Sequence, residues 1–291
     1  MISYDSVQEL ADKATKKGKP ISALVLADQA LQMERSQQDL IEEMKKSLQV
    51  MAEAASKGLN SGSKSASGLS GGDALKMKQA IRAGQSLGGM VLSETLAKAL
   101  AIAEVNACMG RIVAAPTAGS CGIIPALLLT LKEAYDLTEE QVVMSLFTAA
   151  GLGMVIAKKA SISGAEGGCQ AECGSAAAMA AAAAVELMGG TPHMSAHACA
   201  IALKSVLGLV CDPVAGLVEV PCVKRNASGA ASALIAAEMA MAGIESVIPV
   251  DEVITVMKDI GDAMPKTLKE TAEGGLADTP TAKKMAREIF R

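Results

Sequence analysis

Hydrophobic positions fall in long stretches at helical spacing, interrupted by segments rich in Gly, Ser and Pro. Residues 5–56 read as two helices broken near Gly18 and Pro20. The second, 21–55, is charged along one side, and a peripheral position is expected for it. The segment from Gly58 to Gly72 is a Ser/Gly-rich loop. It suits a flexible linker, and its hydroxyls and backbone N–H groups suit equally a loop closing over an anion. Helical pattern resumes over 73–109. A turn, Ala115-Pro-Thr-Ala-Gly-Ser-Cys-Gly122, then feeds an apolar helix over 123–135. Thr138 and Gln141 are spaced as a capping box for a helix running to Lys159. A second Gly-rich loop, from Ser161 to Cys169, precedes an Ala-rich helix over 171–188. Thr191-Pro192 opens the next helix, proline being suited to a first helical position. An irregular segment covers 210–222, and helices are expected over 227–242, 250–260 and 282–290. No repeat of fixed period and no domain boundary interrupts this order. The economical reading is one all-α, multi-helix domain over 1–291, with peripheral helices over 1–56, a loop over 57–72 and a core over 73–291.

Composition agrees with that reading and excludes several functions. The 291 residues include 54 alanines and 27 glycines but only four aromatics, Tyr4, Tyr135, Phe147 and Phe290. Small side chains let helices pack closely, and Ala, Leu, Met, Lys and Glu favour helix over strand. Hydrophobic residues make up 51% and the net charge is −4, so disorder is excluded for most of the chain. Nucleic-acid binding is not expected, because there is no basic excess and almost no aromatic surface for stacking bases. Two uncharged runs approach the length of membrane spans. Residues 112–131 contain Pro116 and Pro125, and 142–157 is short for a bilayer crossing, so buried core helices are expected and no membrane partner. The polar start, from Met1 onward, has no apolar signal segment, and a cytoplasmic location is expected. Seven cysteines in that compartment are free thiols or ligands rather than disulfides.

The cysteines differ in setting. Cys108 and Cys199 lie within apolar helical pattern and are expected to be core thiols. Cys169 ends a Gly-rich loop, Cys211 and Cys222 bracket an irregular segment, and Cys121 lies in the Pro/Gly turn. Loop cysteines with glycine neighbours can approach a bulky inorganic centre, but no CxxC pair or short cluster motif is present, so spacing alone leaves metal ligands and ordinary thiols both open. In the turn, Thr117, Gly119, Ser120 and Gly122 offer a hydroxyl and backbone N–H groups at a helix start. They suit a substrate carboxylate or an ordinary helix cap. Ser67, Ser70 and Asp73 are candidates of the same type. His193 and His197 are spaced to share a helix face, without the Glu of a zinc-protease helix, and are read as structural.

The segments Ala115-Pro-Thr-Ala-Gly-Ser-Cys-Gly-Ile-Ile-Pro125, Ser161-Ile-Ser-Gly-Ala-Glu-Gly-Gly-Cys-Gln170, Gly208-Leu-Val-Cys-Asp-Pro-Val-Ala-Gly216 and Val220-Pro-Cys-Val-Lys-Arg-Asn226 resemble the iron–sulfur-dependent L-serine dehydratases, in the α chain of the two-subunit form. The resemblance spans nearly the whole chain, including Ser67-Gly-Leu-Ser-Gly-Gly-Asp73 and Gly274-Gly-Leu276. It implies a [4Fe–4S] cluster held by Cys169, Cys211 and Cys222, with one iron left for L-serine, and Gly-rich loops converging on it. Cys173 is then a neighbour of the cluster, and Thr117, Gly119, Ser120, Cys121, Gly122, Ser67 and Ser70 line the substrate site. Lys224, Arg225 and Asn226 neutralise cluster or carboxylate, or form a solvated charge pair. The family's histidine motifs belong to the β chain, so the catalytic base is expected from a β-chain partner. Arg287-Glu-Ile-Phe-Arg291 carries no cysteine, so the fourth iron is expected to stay open and oxygen-sensitive. Two other readings remain: an L-cysteine desulfidase-like lyase with the same cluster, and a non-catalytic helical interaction subunit.

Overall fold

Side-chain caps set five of the helix starts in the computed structural model, which describes residues 4–290. Met1, Ile2, Ser3 and Arg291, the extremes of the polar start and the cysteine-free end, lie outside the described residues. Helix α1 (Val7–Lys17) starts where the Ser6 hydroxyl accepts the Glu9 N–H and stops at Gly18, which adopts a left-handed φ of 59°. The single helix expected over 21–55 is instead two, α2 (Ile21–Gln32) and α3 (Gln37–Leu59). The chain turns at Glu34, with φ 52°, and the Ser36 hydroxyl then accepts the Asp39 N–H at 3.0 Å. A Ser three residues before an Asp is a sufficient N-terminal cap to restart a helix inside a charged periodic stretch. The helical pattern over 73–109 is realised as α4 (Asp73–Arg82) and α5 (Gly89–Ala107), separated by a turn containing Gly84 and Gly88.

Helix α6 (Ile123–Ala134) follows the Pro/Gly turn as expected, and α7 (Glu139–Lys159) has the expected capping box. Gln141 N–H donates to the Thr138 hydroxyl at 3.2 Å, and Thr138 N–H donates to Gln141 Oε1 at 2.8 Å. A single turn, α8 (Gly164–Gly167), is followed by a π-turn over Gln170–Gly174 and by α9 (Ser175–Leu187). Helix α10 (Pro192–Lys204) opens on Thr191 and Pro192. Helix α11 (Cys222–Met241) begins five residues before the expected start at 227, which puts Cys222 in its first turn. Helices α12 (Val250–Ala263) and α13 (Pro280–Ile289) complete the order. Among the described residues there is no strand, only an isolated bridge between Cys211 and Lys269.

The architecture is all-α, built around α9. All its residues except Glu186 are buried, and α6, α7, α10 and α11 pack around it. A helix of alanines has no bulky face, so its neighbours approach on every side and form a dense core without large side chains. The same close approach joins α3 to α5, where a Cβ on Gly58 would lie 2.2 Å from the Ala101 carbonyl oxygen. Helix α7 is the one described helix long and apolar enough to cross a membrane, and most of its apolar window is buried inside the protein. Cys199 is fully buried, as expected, and burial pushes its thiol up to about 12. Cys108 is not a core thiol: it caps the end of α5 and is only half-buried, because the apolar pattern stops at Val105.

Candidate active site

Cys169, Cys211 and Cys222 come from three separate elements, and each is held by neighbouring backbone. Cys169 heads the π-turn, a local widening of the helix that recurs at functional sites. The next residue, Gln170, fastens that turn on three sides. Its N–H donates to Leu209 O at 3.0 Å, its Nε2 donates to Met257 O at 2.9 Å, and its Oε1 accepts Gly208 N–H at 2.9 Å. Cys211 is clamped by residues 268–270: its N–H donates to Leu268 O at 2.9 Å, and its carbonyl accepts Glu270 N–H at 2.7 Å. Cys222 stands at the start of α11, and all three thiols are buried.

The next turn of α11 carries Arg225, which reaches back to the segment between these cysteines. It donates to Val210 O at 2.8 Å and pairs with buried Asp212 at 2.8 Å. Asp212 in turn accepts Leu276 N–H at 2.7 Å, and Gly275 makes room for it. A Cβ there would lie 2.5 Å from Asp212 Oδ2, at a φ of +61° that favours glycine. The late Gly274-Gly-Leu276 segment thus braces the Cys211 loop.

Electrostatics tie the thiols together. Cys173 donates toward Cys169 and holds that thiol below its usual range, assisted by the positive charge of Arg225, while Cys173 itself is pushed up. Burial pushes Cys222 up to about 12 and raises Cys211, and the charge on Cys169 adds to both shifts. The ligand atoms of Cys169, Glu172 and Cys173 lie within 4.8 Å of one another. A buried set of thiols beside a guanidinium suits a soft metal centre. Gly164 packs closely against Cys211: a Cβ there would lie only 2.9 Å from its Sγ, so a side chain at this position would crowd the sulfur.

Glu172 carries the site across to the Pro/Gly turn. Thr117 Oγ1 donates to Glu172 Oε1 at 2.5 Å and lies 3.0 Å from the Ser120 hydroxyl. Burial raises the Glu172 carboxyl above its ordinary range. Among the described residues, the backbone N–H groups of Ala118, Gly119 and Ser120 have no hydrogen-bond acceptor. Three successive donors beside a hydroxyl, ahead of α6, are the kind of group that suits an anion. Cys121 is fully buried beneath the turn, and burial raises its thiol to about 12. The turn is pinned by Asn226, which is itself buried.

The remaining candidates lie as follows. Ser67 and Ser65 both donate to Glu219, at 2.8 and 2.6 Å, and Ser70 closes the same loop by accepting Ser65 N–H at its carbonyl. The Ser/Gly loop therefore packs on the 211–222 segment. Asp73 pairs with Lys224 and Lys76 at the surface, so Lys224 is a solvated charge rather than a site group. His193 contacts Asp12 and Gln8 on α1, and His197 accepts the Ser246 N–H at 3.3 Å, so both serve helix packing. Sequence reasoning missed Glu172 and Asp212. Glu172 left a signal: it is one of only two charged residues between Lys159 and Glu186.

Residues 16–277 match the family model described as Serine dehydratase alpha chain. This chain belongs to that family. It is 53% identical over 287 residues to the probable L-serine dehydratase α chain of Bacillus subtilis, covering 99% of this chain and 95% of that one. It is 42% identical over 287 residues to the L-serine dehydratase α chain of Peptoniphilus asaccharolyticus, covering 99% and 98%. With the L-serine dehydratase of Streptomyces coelicolor it shares 48% identity over 181 residues, 62% of this chain but 40% of that longer protein. The serine dehydratase α-chain resemblance read from the loop segments is therefore borne out over the full length. In this α chain, the loops that carry the resemblance are those around the buried thiols and the 117–122 turn.

Proposed function

We propose that this chain is the α subunit of an L-serine dehydratase, which converts L-serine to pyruvate and ammonia. The observation that carries the reading is that Glu172 adjoins both Cys169 and Thr117, with the charge of Cys169 felt at Cys211, Cys222 and Arg225, in a chain that matches serine dehydratase α chains over nearly its whole length. Cys169, Cys211 and Cys222 would hold a [4Fe–4S] cluster. Lewis-acid help to the departing hydroxyl is the chemistry that such a cluster with an open iron supplies. The protein's own residues do the rest. The Thr117 hydroxyl and the N–H groups of Ala118, Gly119 and Ser120 receive the substrate carboxylate. Glu172 fixes the rotamer of Thr117, and Arg225 offsets negative charge on the thiolates. The α-proton and hydroxide leave, and the aminoacrylate that results hydrolyses to pyruvate and ammonia. Cysteines that would serve as metal ligands rather than disulfides fit the reducing cytoplasm.

The α-proton acceptor comes from a β chain, since both histidines of this chain are engaged in helix packing. A second reading rests on Glu172, a buried carboxyl raised above its ordinary range beside the turn, which can take that proton itself. Pyruvate release from L-serine and from L-cysteine, measured anaerobically with and without β chain, tests all of this. Serine turnover only with the β chain supports the first reading, and turnover by the α chain alone supports Glu172. Preference for cysteine, or no turnover of either, overturns the assignment.

A further inference from the structure

Asn226 lies on α11, one turn after Cys222, with 1% of its surface exposed. Asparagine is a poor helix residue and a costly one to bury, so its place inside α11 needs a tertiary reason. Both of its polar atoms are used. Nδ2 donates to Gly119 O at 2.7 Å and to Cys222 O at 3.0 Å, and Oδ1 accepts Gly122 N–H at 2.9 Å. One planar amide therefore grips both ends of the 119–122 turn and the residue that begins α11. Gly122 permits this approach: a Cβ there would lie 3.0 Å from Asn226 Oδ1 and 2.5 Å from Ala99 O.

The consequence is geometric. Held at Gly119 O, the peptide unit between Gly119 and Ser120 is fixed, and its N–H has no acceptor among the described residues. Held at Gly122 N, the turn cannot slide along α6. The same amide bonds the carbonyl of Cys222, so the free N–H donors are set at a constant offset from that thiol. Serine must place its carboxylate and its hydroxyl at once, and a shift of the donors relative to the thiol would leave one of them unmet.

We infer that Asn226 is a positioning residue for substrate binding, locking the carboxylate-binding turn in register with the helix that carries Cys222. This rests on the reading of the 117–122 turn as the carboxylate site. It differs from neutralisation of cluster or carboxylate, because Asn226 reaches the turn as a neutral amide.

The test uses the anaerobically purified αβ holoenzyme with Asn226→Ala and Asn226→Asp. The Asp variant keeps the volume and the acceptor for Gly122 N–H, but faces an oxygen toward two carbonyls. Iron and sulfide content, serine KM and kcat are measured for each. The expected result is wild-type iron and sulfide with KM raised about tenfold or more in both variants, each broken hydrogen bond being worth of order a factor of ten, and a smaller change in kcat. Wild-type KM in either variant with its iron and sulfide intact overturns the inference. Loss of iron and sulfide in both variants overturns it too, since Asn226 would then serve the metal site and not the turn. Thr117→Val, measured alongside, separates the two levels: an unchanged KM in that variant removes the carboxylate reading itself, whereas a raised KM there beside a normal KM in Asn226→Ala removes only the role of Asn226.

Discussion

Gly119→Ala is a small change with a calculable effect. A Cβ at this position would lie 2.5 Å from Glu172 Oε1, 2.9 Å from Cδ and 3.0 Å from Oε2. Ordinary contact begins near 3.4 Å, so the carboxyl must retreat by about 0.9 Å. That motion stretches the 2.5 Å bond from Thr117 beyond useful hydrogen-bond length. A hydrogen bond to a carboxylate is worth about 1.5–3 kcal/mol, and about 1.4 kcal/mol is a factor of ten. If Thr117 and the adjoining N–H groups receive the substrate, kcat/KM for L-serine should fall by about 10- to 100-fold while iron and sulfide content is unchanged. The assay is anaerobic pyruvate release by the αβ complex. Thr117→Val removes the same bond from the other side, so adding Gly119→Ala to it should cost little more. Wild-type kcat/KM in Gly119→Ala, or fully additive losses in the double variant, would refute the reasoning.

Three further outcomes follow from the same structure. Burial holds the Glu104 carboxyl above its ordinary 4.5, although Asp73 and Ala74 donate their N–H groups to it. Folding therefore favours its protonated form, so its stabilising contribution is complete below pH 4.5 and fades as pH rises through the folded pKa. In Glu104→Gln the melting temperature should lose that decline, and parallel pH curves for the two proteins would contradict it. Cys199→Ala empties the space of one buried sulfur and should cost about 1 kcal/mol of stability with unchanged iron content; loss of iron would assign Cys199 a ligand role. His193→Ala should leave serine turnover unchanged, since its contacts are with Asp12 and Gln8 on α1, and a large loss of kcat would place the base on this chain.

Local signals were legible in the sequence and long-range ones were not. The capping box of Thr138 and Gln141 and the Thr191-Pro192 start depend on residues within three positions, and both formed as read. The Ser36–Asp39 cap is equally local, but it sits inside a charged periodic run that reads as one helix. Cys222 begins α11 rather than preceding it, because the helix starts directly after Pro221. Recognition of the loop segments pointed to the family and to the thiols. It could not show that Thr117 meets Glu172 across 55 residues, or that Asn226 reaches Gly119 across 107. Those contacts exist only once α6, the π-turn and α11 have packed around α9. Cys108 failed for the opposite reason: a small apolar residue near a helix end gives no indication that the helix is leaving the core there.

The central claim is that Cys169, Cys211 and Cys222 together hold an iron–sulfur cluster. Iron and acid-labile sulfide, counted per chain after anaerobic reconstitution, test it most directly. The account predicts about four of each in the wild-type chain and a large loss in every one of Cys169→Ala, Cys211→Ala and Cys222→Ala, with Cys199→Ala unaffected. Iron without sulfide, retained in Cys211→Ala and Cys222→Ala but lost in Cys169→Ala, would contradict it and assign the metal to Cys169, Glu172 and Cys173 instead.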